Sequence, residues 1–320
     1  METNNHYEAI IIGAGPAGLT AGIYLSRSKI KTLILDQGIA GGQLILTHEI
    51  ANYPGVENIS GYALSNIMKK QALSFGCTIK TNLSLAEISL KNEVKKITTT
   101  DGITFTADAI ILTPGGRSKM LDVAGEEKFK GRGISYCATC DGDFFTNKEI
   151  IVVGGGNTAL EEAVSLTKYA SKVTIIHKNE KFKAFPHAIE ELKKNNKIDI
   201  MLDSVIQEFY GLESLNGAII KNLRTGNTID FKTDGAFIFI GYQPNTEFLK
   251  NKILLNDWGE IYVDSHMQTS IDGVFAAGDS IQKPYRQITT AVGEATTAAL
   301  AAINFIYEHK NNFVVSEINE

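Results

Sequence analysis

Residues Glu149–Lys178 read EIIVVGGGNTALEEAVSLTKYASKVTIIHK. A β-branched run stops at three glycines, a stretch with helical character follows, and a second β-branched run closes the unit. Strand, glycine turn, helix and strand in that order form the half-unit of a doubly wound nucleotide-binding sheet. Its strands are buried on both faces and so read as continuous apolar runs. The same order stands near the N-terminus: a strand Tyr7–Ile12, the turn GAGPAG, a helix Pro16–Arg27 and a second strand Lys31–Asp36. Two copies of one supersecondary unit in 320 residues predict an α/β chain with two Rossmann-like domains.

Each turn carries its own chemistry. The first is Gly13-Ala14-Gly15-Pro16-Ala17-Gly18, a full G-x-G-x-x-G between strand and helix. Its glycines allow a tight turn, close approach of a pyrophosphate and close helix–strand packing, and the helix N-terminus supplies N–H donors for the phosphates. Asp36 follows Gly13 by 23 residues, at the end of the next strand, where a carboxylate bonds the hydroxyls of an unphosphorylated ribose. This pattern suits FAD.

The second turn is Gly154-Gly155-Gly156-Asn157-Thr158-Ala159, and the same spacing from Gly154 reaches His177 instead of an acid. Lys178 and Lys183 lie beside it. Without the acid there is no partner for a free 2′-hydroxyl, whereas nearby cations pair with a 2′-phosphate, so the pattern favours NADPH over NADH. The competing reading makes these lysines a solvated strand end.

Between and after these units the pattern alternates. A helix is expected over Tyr62–Phe75, then a β-meander, then a buried strand Asp108–Gly116. A second meander is expected over Ile198–Thr233, a strand in Gly235–Asn245 ending at a turn, and a long Ala-rich helix in the tail.

Composition narrows the class. With 43% hydrophobic and 21% charged residues the chain reads as an ordinary soluble protein. A net charge of -5 and a pI near 5.8 offer no basic surface for nucleic acid. The apolar run Ala9–Leu25 lacks a basic leader and contains Pro16 and several glycines, so it is read as the first nucleotide turn, with no membrane association and a cytoplasmic location expected.

Two of the three cysteines fall in Ile134–Phe145, ISYCATCDGDFF. A structural zinc site needs four ligands, and Cys137 with Cys140 supplies two, with no second C-x-x-C or C-x-x-H near, so no metal is expected. A disulfide closing so short a loop adds little stability. A dithiol–disulfide redox couple remains. Asp141 is placed to manage a proton; as a turn or cap residue it would do neither acid nor base work, and both readings stand. Cys77, alone at a helix end, reads as a small buried apolar side chain.

GAGPAG, GGQL, NYPG, CATCDG, GGGNTALEEA, GVFAAGD and YRQ, in this order, resemble the bacterial-type low-molecular-weight thioredoxin reductases, flavoproteins among the pyridine nucleotide-disulfide oxidoreductases. The resemblance runs over essentially the whole chain. CATCDG just before the second glycine turn is specific, because related disulfide reductases carry their cysteines in the FAD domain.

The resemblance implies a discontinuous FAD domain of residues 1–116 and 247–320, an NAD(P)H domain inserted at 117–246, and one FAD per subunit of a homodimer. It implies that Gly42, Gln43 and Asn52 lie along the flavin and that Gly278-Asp279 holds the ribityl chain and pyrophosphate. Tyr285, Arg286, Gln287 and Ile288 would approach the isoalloxazine. Gly154, Gly156, Asn157, Thr158, Ala159, His177, Lys178 and Lys183 would hold the nicotinamide nucleotide. Cys140 would face the flavin, Cys137 would attack the disulfide of thioredoxin, and Asp141 would act as acid and base. Nicotinamide and cysteines share one domain and each needs contact with the same flavin, so they must take turns, with Pro114–Arg117 and Tyr242–Asn245 as candidate hinges.

Three positions depart from that pattern. Lys178, Asn179 and Lys183 stand where arginines are usual, and lysine lacks the bidentate fork of arginine. Thr113-Pro114-Gly115 replaces A-T-G, and Glu294 with Ala295 falls where small residues and Gly are common. The first departure opens NADH or reduced ferredoxin as alternative donors, and a peroxiredoxin-type protein is the alternative acceptor. A non-catalytic flavin- or metal-binding redox sensor is the competing class.

Overall fold

A computed structural model describes residues 5–47 and 49–318 of the chain. The chain divides into two compact units, Met1–Arg117 together with Gln243–Glu320, and Ser118–Tyr242.

In the discontinuous unit the strand His6–Ile12 is central, parallel to Thr32–Leu35 on one side and to Thr104–Leu112 on the other. Thr78–Lys80 extends the sheet beyond Thr32–Leu35. The nine-residue strand Thr104–Leu112 serves two partners along one edge. Its first half pairs antiparallel with Lys95–Thr99, which pairs with Leu85–Ser89 to make the meander; its last residues pair parallel with Val274–Ala276.

This strand begins and ends earlier than the expected Asp108–Gly116. Pro114 has no N–H for a ladder, and the Thr113 hydroxyl donates to the carbonyls of Ile12 and Gly13, within 3.0 and 2.9 Å, which turns the chain off the sheet.

Alternation of side chains sorts this core into two layers. Ala9, Ile11, Ile34, Ala109, Ile111 and Phe275 face the helices Pro16–Arg27 and Ile288–Ile318. Ile10, Ile12, Leu33, Leu35, Ile110 and Leu112 face the meander and the segment around Leu249 and Ile261. Alanines at 291, 295, 298, 299 and 302 are buried and keep the last helix thin on its packed face. Full burial of each Ile or Leu here contributes about 1.5–3 kcal/mol.

The contiguous unit has a five-stranded sheet, all parallel, in the order Ile198–Met201, Lys172–Ile176, Glu149–Gly154, Gly235–Phe239, Ile134–Ser135. The expected second meander therefore starts later. Ile198–Met201 is an outer parallel strand, and the antiparallel ladder is Ser204–Gly211, Leu215–Asn222 and Thr228–Lys232. A helix not assigned from sequence, Pro186–Lys194, makes the crossover into Ile198–Met201. It opens on a proline at its start and buries only Ala188 and Leu192.

Candidate active site: two glycine turns and a cysteine pair

The first glycine turn connects His6–Ile12 to the helix Pro16–Arg27, at the carboxyl ends of the parallel strands, where open α/β sheets bind ligands. Gly13 has φ +107°, and a Cβ there would stand 2.1 Å from the Thr113 carbonyl oxygen. A Cβ on Gly18 would stand 1.8 Å from the Gly13 carbonyl oxygen. The chain's own packing demands both glycines. Gly15 differs: its φ is an ordinary -73°, and a Cβ would meet only the Gly42 Cα, at 3.9 Å. The protein leaves that space open beside a helix N-terminus, with Pro16 and Ala17 opening the helix. Such a cradle fits the pyrophosphate of a dinucleotide.

Asp36 ties the next strand to this turn. Its Oδ2 accepts from the Ala14 N–H at 2.6 Å, and its Oδ1 accepts from the Gly38 N–H at 2.7 Å. A carboxylate has about four acceptor sites, so two remain for ribose hydroxyls. The Gly41 N–H donates to the Ala14 carbonyl at 2.8 Å, which docks the Gly42–Leu46 turn on the first glycine turn and leaves Gln43 exposed.

From further along the chain, Gly278 adopts φ +80°, and a Cβ there would lie 2.9 Å from the Ala17 Cβ. The Gly278-Asp279 turn is thus pressed against the first glycine turn. Arg286 donates from Nε to the Asp279 carbonyl at 3.3 Å and pairs with Glu260. Asn52 Nδ2 reaches Gln287 Oε1 at 3.4 Å. Tyr285 is largely exposed, and Ile288 opens the last helix. The residues expected for a flavin in this unit share the same end of its sheet.

The second turn repeats this division of labour. Gly154, at φ +155°, would bring a Cβ within 2.4 Å of the Phe239 carbonyl oxygen and 2.7 Å of the buried Ala159 Cβ. A Cβ on Gly156 would meet only the Lys183 carbonyl oxygen, at 3.9 Å, so the space before the helix Asn157–Leu166 is open there too. The Lys183 N–H donates to the Gly155 carbonyl at 2.7 Å, and the Phe185 N–H donates to Asn157 Oδ1 at 2.7 Å. Asn157 thereby fixes the following loop, while Thr158 stays exposed.

His177 lies beneath this turn. It is 6% exposed, its ring would be 2.1 Å from a Cβ on Gly155, and it stacks on Phe182 at 5.5 Å. Burial, and then the charges of Lys178 and Lys183, hold its pKa below the ordinary histidine value, although the bond between Nε2 and the Lys181 carbonyl works the other way. Lys178 and Lys183 themselves are exposed, and neither has an ion-pair partner among the described residues. Both are exposed cations beside this turn.

The cysteine pair sits in the same unit as the second turn. The strand Ile134–Ser135 delivers the chain to a one-turn helix, Ala138–Asp141, with Cys137 as its N-cap. Cys137 and Cys140 are joined as a disulfide with their Cα atoms 5.3 Å apart. The Cys140 N–H points at Cys137 Sγ at 3.2 Å, a donor that stabilises a thiolate at that sulfur. Ala138 and Phe145 anchor the segment in the core under the second turn, Phe145 edge-on to Phe237 at 5.0 Å. Cys140 is exposed and Cys137 half-buried.

Asp141 is paired with Ser135, whose hydroxyl donates to Oδ2 at 2.6 Å. Burial raises the Asp141 pKa above the ordinary carboxylate value, the Ser135 bond opposes this, and the charge of Asp143 adds to the rise. A carboxyl so held keeps its proton to higher pH than an exposed one. Cys77 lies in the other unit and is buried, which pushes its thiol up to about 11.

Sequence reasoning passed over several residues that build these sites. Ser135 is one. Glu126 is another: it is 1% exposed and accepts from the N–H groups of Leu121 and Asp122 and from the Tyr136 hydroxyl, next to Cys137. Lys283, behind the Gly278 turn, completes the set; it pairs with Glu294, which the sequence marks as a departure without giving it a place in a site. Only Ser135, two residues before the first cysteine, had a signal local enough to find.

Residues 7–295 match the family model described as pyridine nucleotide-disulphide oxidoreductase. A thioredoxin reductase of Peptoclostridium acidaminophilum is 41% identical, with 94% of this chain and 98% of that protein covered. A thioredoxin reductase of Bacillus subtilis is 39% identical over 96% of this chain and 97% of the relative. Among solved structures, thioredoxin reductase from Streptococcus pyogenes superimposes with a TM-score of 0.92 at 38% identity, covering 96% of this chain and all of that one. Among the described residues no helix is long and apolar enough to cross a membrane.

Proposed function

This chain belongs to the pyridine nucleotide-disulphide oxidoreductase family, and on that footing we propose that it is a thioredoxin reductase that passes electrons from NADPH through FAD to the Cys137–Cys140 disulfide and on to oxidised thioredoxin. The observation that carries the reading is the disulfide on a one-turn helix, built onto the core of a second nucleotide turn and followed at once by a carboxyl of raised pKa. The names of the relatives support thioredoxin as the acceptor.

In this reading the unit Met1–Arg117 with Gln243–Glu320 holds FAD, through the open cradle at Gly15, the carboxylate of Asp36 and the Gly278-Asp279 turn. FAD, when bound, supplies the conversion of a hydride into an electron pair that a disulfide can accept. The unit Ser118–Tyr242 holds the nicotinamide nucleotide at Gly156, and the unpaired Lys178 and Lys183 favour a 2′-phosphate, hence NADPH. The enzyme is read as a cytoplasmic homodimer.

The chain's own residues account for the thiol exchange. With the pair reduced, the Cys137 thiolate attacks one sulfur of the thioredoxin disulfide, and the displaced thioredoxin sulfur takes a proton. The Cys140 thiolate then attacks Cys137 Sγ, releasing the second thioredoxin sulfur, which is also protonated. One disulfide closes here as one opens on the partner, with two electrons and two protons delivered. The Cys140 N–H steadies negative charge on Cys137 Sγ, and Asp141 holds a proton within the same turn.

The test is a titration of purified enzyme with NADPH and NADH, thioredoxin as acceptor, alongside Cys140→Ser. The expected result is bound flavin, preference for NADPH, and loss of thioredoxin reduction in the variant with flavin retained. Protein without flavin, or a variant that still reduces thioredoxin, overturns the reading. Flavin reduced by ferredoxin and not by either nucleotide would replace the donor.

A further inference from the structure

Glu294 stands in the second turn of the Ala-rich last helix, among the buried Ala291, Ala295 and Ala298, where a carboxylate is costly unless it is paired. It is paired twice. Its Oε2 accepts from the Gly278 N–H at 3.0 Å and from Lys283 Nζ at 2.8 Å. The Lys283 side chain is 6% exposed and also lies 3.3 Å from Asp279 Oδ1 and 3.4 Å from the Thr290 hydroxyl. One ammonium is thus held between two carboxylates, and one of those carboxylates grips the backbone of the Gly278-Asp279 turn.

A buried ion pair of this kind is a poor way to gain stability, since apolar replacement is often neutral or better. Its geometry offers something an alanine could not. The Gly278 backbone is in the left-handed region at φ +80° and pressed against Ala17 of the first glycine turn. A charge-assisted bond from behind fixes that N–H, and the lysine fixes the Asp279 carboxylate at its Oδ1.

We propose that Glu294 and Lys283 are positioning residues for flavin binding, holding the Gly278-Asp279 turn in the one conformation that faces the cradle at Gly15. The inference rests on the FAD reading given above. Neither residue is assigned contact with the flavin; both act through the turn.

The experiment measures FAD affinity of deflavinated protein by quenching of flavin fluorescence, together with the melting temperature of the flavin-free form, for the parent, Glu294→Ala, Glu294→Gln and Lys283→Met. The expected result is a loss of FAD affinity of about tenfold or more in Glu294→Ala and Lys283→Met. Glu294→Gln, which retains an acceptor for the Gly278 N–H, recovers part of it. The melting temperature of the flavin-free form stays close to the parent's. A purely structural role predicts lower melting temperatures with unchanged FAD affinity in the folded variants, and that outcome overturns the inference. If Glu294→Ala does not fold, Glu294→Gln and Lys283→Met decide it by the same affinity. A parent protein that binds no FAD sinks the functional reading itself, whereas a parent that binds and variants that bind equally sink only this one.

Discussion

The Ser135 hydroxyl donates to Asp141 Oδ2 at 2.6 Å, and the same Ser135 oxygen accepts from the Cys137 N–H at 3.1 Å. One serine therefore connects the backbone of the first cysteine to the carboxyl that follows the second. A change in the charge of Asp141 is felt at the Cys137 backbone along this hydrogen-bonded path.

That path predicts a pH effect with a definite sign. Burial raises the Asp141 pKa, so the folded protein holds this proton to higher pH than the unfolded chain does, and the ionised carboxylate costs stability as pH rises through the folded pKa. Asp141→Asn should melt at a higher temperature than the parent at neutral pH. The gap should close on acidification, once Asp141 is protonated in both states. Equal melting temperatures at neutral pH would contradict the assigned environment. In Ser135→Ala, which lacks the bond that lowers this pKa, the alkaline limb of kcat/KM for thioredoxin should move to higher pH.

The glycines separate fold from function. Gly13→Ala places a Cβ 2.1 Å from the Thr113 carbonyl oxygen at a positive φ and should cost about 3 kcal/mol or more of stability, if it folds at all. Gly15→Ala meets nothing nearer than 3.9 Å, so the flavin-free protein should melt like the parent while retaining little flavin through gel filtration. If Gly15→Ala keeps its full flavin complement, the open cradle is not where the pyrophosphate lies.

Asn179→Arg should lower the KM for NADPH relative to NADH by about tenfold, by adding a guanidinium fork where Lys178 and Lys183 offer point charges. Asn179 is half-buried, with Nδ2 3.4 Å from His177 Nε2, so an arginine there must reach outward along the same loop. Parallel KM titrations with the two nucleotides read the effect. An unchanged ratio places the 2′-phosphate elsewhere.

Tyr136→Phe removes one of three donors to the buried Glu126 carboxylate. A hydrogen bond to a charged acceptor is worth about 1.5–3 kcal/mol, and denaturant unfolding should show a loss in that range without loss of flavin. Activity lost with stability unchanged would instead give Tyr136 a direct part in the thiol chemistry.

The two nucleotide turns were legible because their glycines serve backbone needs that any sequence must meet: Gly13 and Gly154 adopt positive φ, and Gly18 nearly touches the strand. What stayed hidden was set by distant partners. Ile198–Met201 alternates like a meander strand, and only its parallel pairing with Lys172–Ile176 shows otherwise. The helix Pro186–Lys194 is only nine residues long and buries just Ala188 and Leu192, so its apolar stripe is too short to stand out between two strands. From the sequence His177 is grouped with Lys178 and Lys183 at the nucleotide, while in the fold it is buried beneath Gly155, which lacks a side chain. Glu294 reads as a misfit in an alanine run until Gly278, sixteen residues earlier, is placed against it.

The pairing of Val274–Ala276 with Ile110–Leu112 has a consequence for synthesis. The whole of Ser118–Tyr242 lies between these strands in the chain, and it is a contiguous unit able to fold as it leaves the ribosome. The earlier-made half of the other unit must wait, with Ile110–Leu112 unpaired on that edge, until Val274–Ala276 and the last helix have been made. The half of this unit that is made earlier thus waits for the half made later, and the interval in which those residues stay unpaired is the one in which the nascent chain is most exposed to misassembly.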